Sequence, residues 1–387
     1  MRVCFLDYAH ERGLRADAGG FRKLWELAGA LAGAGQETLV LYPALPGRTP
    51  LRAVAAESYP VIDVAGLRPL SAYVGMVARA WRLSRRRRPD VVYFRSGFNV
   101  LPLVLRRLTG ARIVLEVNAD VLAFMEVEGA RRWARWLFAR LEGWAVRGSD
   151  AIVALTPGLE RMLVARYGIS ATRVWVVPSG TDVHHFVPAD PIECRRRLGL
   201  EASGFVVGFV GLCYRHQGVP TLLDALAALR GRVPGLAGLI VGDGVMRAAW
   251  EAHARVRGLA DVVRFAGQVP YREVPAWLNA MDVVVAPFTA DRGETSPFKV
   301  LDAMACARPV IASDLESVRR LAEESGALVV VPPDDAEALA TALARLAADP
   351  DRRAELGARG RQFVCARHSW DRLAAALLPA LRGDRRW

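Results

Sequence analysis

The sequence predicts an α/β protein made of two doubly wound domains. Three observations lead there. Short apolar runs rich in Val, Ile and Phe alternate with stretches of helical periodicity. The alternation starts afresh near residue 205, after a stretch rich in Pro, Gly and Asp, "VVPSGTDVHHFVPADP" (Val176–Pro191). A length of 387 residues suits two domains better than one. Strands alternating with helices form a parallel sheet covered on both faces.

The elements follow in order. "RVCFLDYA" (Arg2–Ala9) suits a buried strand, and the glycine-bearing loop "HERGLRADAGG" follows it. Leu24, Leu27 and Leu31 fall at helical spacing, and "ETLVLYPA" (Glu37–Ala44) reads as the next strand. Later strands are Asp90–Phe94, Arg112–Ala119, Asp150–Thr156 and Arg173–Gly180. In the second half, the strand Phe205–Leu212 leads to the helix Val219–Gly231, and the strand Leu236–Gly244 to the helix "MRAAWEAHARVRG". "VVRFAGQV", "DVVVAPF" and "RPVIASD" are further strands. The chain closes on an amphipathic helix with a basic tail, "HSWDRLAAALLPALRGDRRW". The expected domains are 1–188 and 189–366, facing a cleft. In open parallel sheets, ligands sit beyond the carboxyl ends of the strands.

Composition narrows the class. With 52% hydrophobic and 24% charged residues the chain is globular, and no apolar run reaches the roughly 18 residues of a membrane span. The start turns polar too soon for a signal peptide. The five cysteines lack metal spacing, so a reduced, cytoplasmic protein is expected. The net charge of +12 is uneven: residues 1–189 hold 26 Lys+Arg against 16 Asp+Glu, and residues 190–387 hold 26 against 24. A solvated basic face explains this. So does a face that meets anions, either a phospholipid surface or a phosphorylated acceptor. Nucleic acid is disfavoured, because no recognition motif accompanies the charge.

One loop carries most of the chemistry. "GETSPFKVLDAMACARPVIAS" (Gly293–Ser313) holds Glu294, Asp302 and Lys299, one of two lysines in the chain beside Lys23. Ser296 suits an N-cap and Pro297 a first helical residue. Lys299 then lies in the first turn, where a cation opposes the helix dipole at a cost of a few tenths to about 1 kcal/mol. A phosphate bound there reverses the sign. The alternative is an i,i+3 pair between Lys299 and Asp302. Asp302 lies a turn deeper, where a carboxylate can hold two adjacent hydroxyls, as on a ribose. Glu294 precedes the helix and can face another hydroxylated group.

Glu294, seven residues and Asp302, followed by "AMACARPVIASD", resemble the E-x7-E region of the retaining glycosyltransferases of family four. "VWVVPSGTDVHHFVP" is similar to that family's domain junction, and "VVGFVGLCYRHQGVPTLLDAL" to the first strand and glycine loop of its second domain. "VVRFAGQVPYREVPAWLNAMDVVVAPF" resembles its base-binding segment, "YFRSGFNVLPLVLRRLTGARIVLEVNA" a first-domain segment of a subgroup, and "ARHSWDRLAAALL" its closing helix. The resemblance implies the two-domain GT-B fold, with residues 367–387 returning to the first domain. It also implies transfer of a hexose-type sugar from a nucleotide-sugar donor to a glycan, lipid-linked or small-molecule acceptor. Front-face attack is implied, and neither a cofactor nor a metal is expected.

Carried over by position, Glu294 would contact the donor sugar and Asp302, in place of glutamate, the ribose. Amides around Thr295, Ser296, Pro297 and Phe298, with the Lys299 ammonium, would hold the diphosphate. Gln268 and Val269 would border the base. Gly19 and Gly20 would let backbone approach the sugar or diphosphate, the alternative being a tight turn into a helix. Two positions depart from the pattern. Many members carry an arginine and a lysine where this chain has Leu212 and Gln217, leaving Arg215 and His216 to supply charge, or a merely solvent-exposed loop. In the first domain Arg95, Ser96, Glu116 and Asn118 follow strands and are acceptor- or sugar-facing candidates. For Glu116 a structural salt bridge is the alternative. Two other classes keep this architecture: a sugar-nucleotide epimerase and a non-catalytic member.

Overall fold

The computed structural model describes residues 1–7, 19–45, 54–62, 67–86, 88–97, 100, 102–201, 203–294 and 296–384. The chain forms two compact units. One is Met1–Leu122, Ala130–Ser179 and Trp370–Trp387; the other is Ala123–Gly129 and Gly180–Ser369.

The first unit holds a seven-stranded parallel sheet: β1 (Arg2–Leu6), β2 (Glu37–Pro43), β3 (Ala55–Tyr59), β4 (Val91–Arg95), β5 (Arg112–Val117), β6 (Ala151–Ala154) and β7 (Val174–Val176). Its order is β3-β2-β1-β4-β5-β6-β7. The order reverses between β1 and β4, which pair directly, with Phe5 opposite Tyr93. Its helices are α1 (Gly19–Gly33), α2 (Arg68–Ser84), α3 (Pro102–Thr109), α4 (Val121–Val127), α5 (Arg132–Gly148) and α6 (Pro157–Tyr167), most of α4 grouping with the second unit. α6 shows the local logic. The Thr156 hydroxyl accepts from the Leu159 amide at 3.1 Å, Pro157 opens the helix, and Gly168 closes it.

The second unit holds β8 (Phe205–Val210), β9 (Leu236–Val241), β10 (Val263–Gly267), β11 (Val283–Ala286), β12 (Val310–Ser313) and β13 (Leu328–Val331). The order is β10-β9-β8-β11-β12-β13, again parallel and again reversing, between β8 and β11. Its helices are α7 (Pro191–Arg197), α8 (Val219–Leu229), α9 (Arg247–Val256), α10 (Val274–Asn279), α11 (Phe298–Ala305), α12 (Glu316–Ser325), α13 (Ala336–Ala348) and α14 (Pro350–Arg367). Asp335, in a stretch that has no Asp-x-Asp spacing, caps α13 by accepting from the Ala338 amide at 2.8 Å.

The closing helix, α15 (Trp370–Arg382), belongs to the first unit, as expected. Leu373, Ala374 and Leu377 pack into the same core as Leu24, Leu27 and Leu31 of α1. The first strand is shorter than the sequence suggests, ending at Leu6, and the loop 8–18 lies outside the described residues. Gly19 and Gly20 open α1 rather than belonging to that loop.

Candidate functional site

In the second unit the loops after β8 and β11 meet at the point where strand order reverses, the place a doubly wound sheet offers a ligand. Gly218 makes the close approach possible. It sits at φ +64°, and a Cβ there would lie 1.8 Å from the Pro287 carbonyl oxygen. The Thr289 amide donates to the His216 carbonyl at 3.3 Å, holding the same two loops together.

Lys299 lies in the first turn of α11, as its spacing predicts. Its ammonium donates to the Gln217 side-chain oxygen and rests 4.0 Å over the Phe209 ring. It is 5.5 Å from the Phe288 ring centroid. The alternative pairing with Asp302 is not formed: Asp302 accepts instead from the Thr181 hydroxyl at 2.6 Å. Gln217 therefore positions the lysine that α11 supplies. Gly211, at φ +155°, leaves room for the ammonium: a Cβ there would fall 2.5 Å from Lys299 Nζ and push it aside.

Arg292, which the sequence did not single out, completes the cluster. It is 7% exposed. Its guanidinium stacks 3.6 Å over Phe288, the ring that Lys299 also approaches. Among the described residues its Nε and Nη1 have no hydrogen-bond partner. Burial drives its pKa down to about 9, and only Glu294 opposes the fall. Burial and then Arg292 pull Lys299 well below the ordinary lysine value. Two cations thus share a poorly solvated space, an arrangement that costs free energy unless an anion arrives.

Other expected residues fall differently. The Ser296 hydroxyl does not cap α11; Pro297 takes the cap position at φ −84°, ψ 65°, and no side chain caps the helix. Ser296 is buried and its carbonyl accepts from the Phe298 amide at 3.1 Å. Thr295 lies outside the described residues. His216 cannot supply charge near neutral pH. Burial, then Arg292 and Lys299, lower its pKa to about 4. It stacks on Phe124, with ring centroids 4.9 Å apart. Arg215 and Leu212 are exposed on the same loop. Gln268 is exposed and Val269 half-buried, just past the edge strand β10.

In the first unit, Glu116 is 2% exposed and engaged inward. Its Oε2 lies 3.0 Å from Lys23 Nζ, the Tyr93 hydroxyl donates to it, and Arg95 Nε is 3.4 Å from Oε1. These three partners hold its pKa down against the opposing pull of burial, the largest influence. The salt-bridge alternative therefore describes Glu116, with a lysine as its nearest partner. Arg95 ends β4, the Ser96 amide donates to the Glu116 carbonyl at 2.7 Å, and Asn118 follows β5. All three stand at the carboxyl end of their sheet.

A buried cation pair thus lies beside the start of α11, at the switch point of a doubly wound sheet. Two family models match the chain. One, described as Glycosyltransferase Family 4, covers residues 19–185; the other, Glycosyl transferases group 1, covers residues 204–349. The chain belongs to the family-four, group 1 glycosyltransferases. Curated relatives include a D-inositol 3-phosphate glycosyltransferase of Salinispora tropica, 34% identical over 61% of this chain and 52% of the relative. A GDP-mannose-dependent alpha-(1-6)-phosphatidylinositol monomannoside mannosyltransferase of Mycobacterium tuberculosis is 34% identical over 61% of this chain and 63% of the relative. The chain thus matches little more than half the length of these relatives. Among solved structures, sucrose-phosphate synthase of Thermosynechococcus elongatus has a TM-score of 0.81 at 22% identity, covering 98% of both chains. Anabaena HepE in complex with UDP and glucose has a TM-score of 0.78 at 19% identity, covering 99% of both. These likenesses establish the GT-B fold.

Proposed function

We infer that the protein transfers a hexose-type sugar from a nucleotide-sugar donor to an acceptor hydroxyl, with retention at the anomeric carbon. The observation that carries this is Arg292: a buried guanidinium, two of whose nitrogens have no partner among the described residues, near Lys299 in the first turn of α11. In the reaction the bond from the anomeric carbon to the diphosphate breaks, and charge grows on the leaving phosphate. Arg292, Lys299 and the α11 N-terminus meet that charge where it develops, already oriented and partly dry. The acceptor attacks from the same face, and its proton passes to the leaving phosphate. No metal or cofactor enters this scheme, since the protein's own cations supply the positive charge.

Glu294 is assigned to the hydroxyls of the donor sugar. Asp302, whose carboxylate already holds Thr181, is assigned to the ribose. Gln268 and Val269 are assigned to the base, and Gly19 and Gly20 to close approach of the α1 N-terminus. Arg95, Ser96 and Asn118 are the acceptor-side candidates. Glu116 orients Lys23 and Arg95 rather than meeting substrate. The acceptor is a glycan, a lipid-linked sugar or a small polyol, in line with the inositol-containing acceptors named for two relatives. The free, mostly buried cysteines accord with a reduced, cytoplasmic site of glycan biosynthesis.

A thermal-shift panel of UDP- and GDP-sugars tests the donor assignment. A ligand at a hundredfold excess over its Kd stabilises the folded state by about 2.7 kcal/mol. At least one donor is expected to raise Tm. A panel in which no nucleotide sugar and no nucleoside diphosphate shifts Tm would overturn the assignment.

A further inference from the structure

Helix α5 turns an aromatic face outward. Trp133, Trp136 and Trp144 are 62%, 61% and 58% exposed, and Leu137 is 37% exposed. At about 100° per residue, positions 133, 136, 137, 140 and 144 share one stripe roughly 100° wide. The opposite stripe, including Phe138, Ala145 and Val146, is buried. The inward side of the helix is therefore satisfied by its own unit, and three indoles remain on the other side.

Charge narrows what covers them. Glu142, the helix's sole carboxylate, lies on the inner face at 1% exposure, with the Tyr167 hydroxyl donating to it. Arg131, Arg132 and Arg140 are exposed, and the Arg140 guanidinium lies 5.2 Å over the Trp136 ring. The half of the chain that contains α5 carries most of the excess positive charge, 26 Lys+Arg against 16 Asp+Glu over residues 1–189. Indole rings with a polar N–H, interleaved with guanidinium groups, match the headgroup layer of a bilayer, where apolar chains, water and phosphates meet. At about 1.5 Å per residue, the 17 residues of α5 span roughly 25 Å, long enough to lie along such a surface.

We propose that α5 docks the protein on an anionic bilayer, its three indoles entering the headgroup layer while Arg132 and Arg140 pair with lipid phosphates. Co-sedimentation with vesicles of phosphatidylcholine, with and without phosphatidylglycerol, tests this at low and high salt. The wild-type protein should bind the anionic vesicles, release them in high salt, and ignore neutral ones. W133S/W136S/W144S should weaken binding by about tenfold or more. It should leave the far-ultraviolet circular dichroism and the thermal shift by nucleoside diphosphate unchanged, which separates loss of docking from loss of folding. Arg132→Gln with Arg140→Gln should weaken binding to anionic vesicles and flatten its salt dependence. Three results would overturn the proposal: undiminished binding by the tryptophan variant, equal binding to neutral vesicles, or a wild-type dimer that the tryptophan variant dissolves without vesicle binding.

Discussion

Arg292→Met separates a ligand-binding guanidinium from a structural one. Methionine keeps an unbranched stem that can lie against Phe288, so the main change is loss of the charge and its donors. Two buried nitrogens without partners among the described residues each cost about 1–3 kcal/mol. The stack on Phe288 returns about 0.5–2 kcal/mol. The net effect of the substitution is a gain centred on about 3 kcal/mol. For a unit of this size that raises Tm by roughly 6–12 °C. Binding should move the other way. Losing a desolvated cation from a phosphate costs about 2–4 kcal/mol, a roughly 30- to 1000-fold weaker Kd. Differential scanning calorimetry gives the first number, and titration calorimetry with UDP or GDP gives the second. A lower Tm together with unchanged nucleoside diphosphate affinity would show that Arg292 is a packing element and not a ligand for phosphate.

Three further outcomes follow from the same geometry. Burial and Arg292 lower the Lys299 pKa, and a bound diphosphate raises it, so the complex holds more protons than the free protein. Calorimetry over a pH series above neutrality, in buffers of different ionisation enthalpy, should show proton uptake that is diminished in Lys299→Met, and affinity should weaken as pH rises. Glu116→Leu leaves Lys23 buried without its carboxylate and should cost about 3–5 kcal/mol in urea unfolding, whereas a surface carboxylate would cost almost nothing. Burial raises Glu142 from 4.5 to about 7. A carboxyl whose folded pKa is raised stabilises most at low pH. That contribution is full below about pH 4.5 and fades as pH rises through 7. Glu142→Gln should flatten the fall in urea midpoint across that window, and an unchanged slope would exclude this source.

Most of the second unit was legible because strands such as β8 and β11 are short, almost wholly apolar runs, the pattern of a sheet buried on both faces; β13, "LVVV", was not read. β3, "AAESY", was not, because a half-exposed edge strand needs no such run. Lys299 stood out since all but two of the 52 basic residues are arginine. The same bias hid Arg292: one arginine among so many carries no signal until its burial is known. His216 shows the converse, a residue whose type suggests charge but whose surroundings remove it. Ser296 failed as a cap because its backbone carbonyl, not its hydroxyl, serves the turn, a choice set by the Pro297 dihedral angles. Glu116 sits at the end of a strand, as a substrate-facing carboxylate would, yet Lys23 from a distant helix claims it.

The most direct measurement is the release of nucleoside diphosphate from the best-binding nucleotide sugar, with and without glycan, lipid-linked and polyol acceptors. The same samples are read by nuclear magnetic resonance at the anomeric proton. Transfer predicts release that an acceptor stimulates, with a glycoside product that keeps the donor's anomeric configuration. Acceptor-independent formation of an epimeric sugar, or no turnover by a protein that still binds the donor, would contradict it.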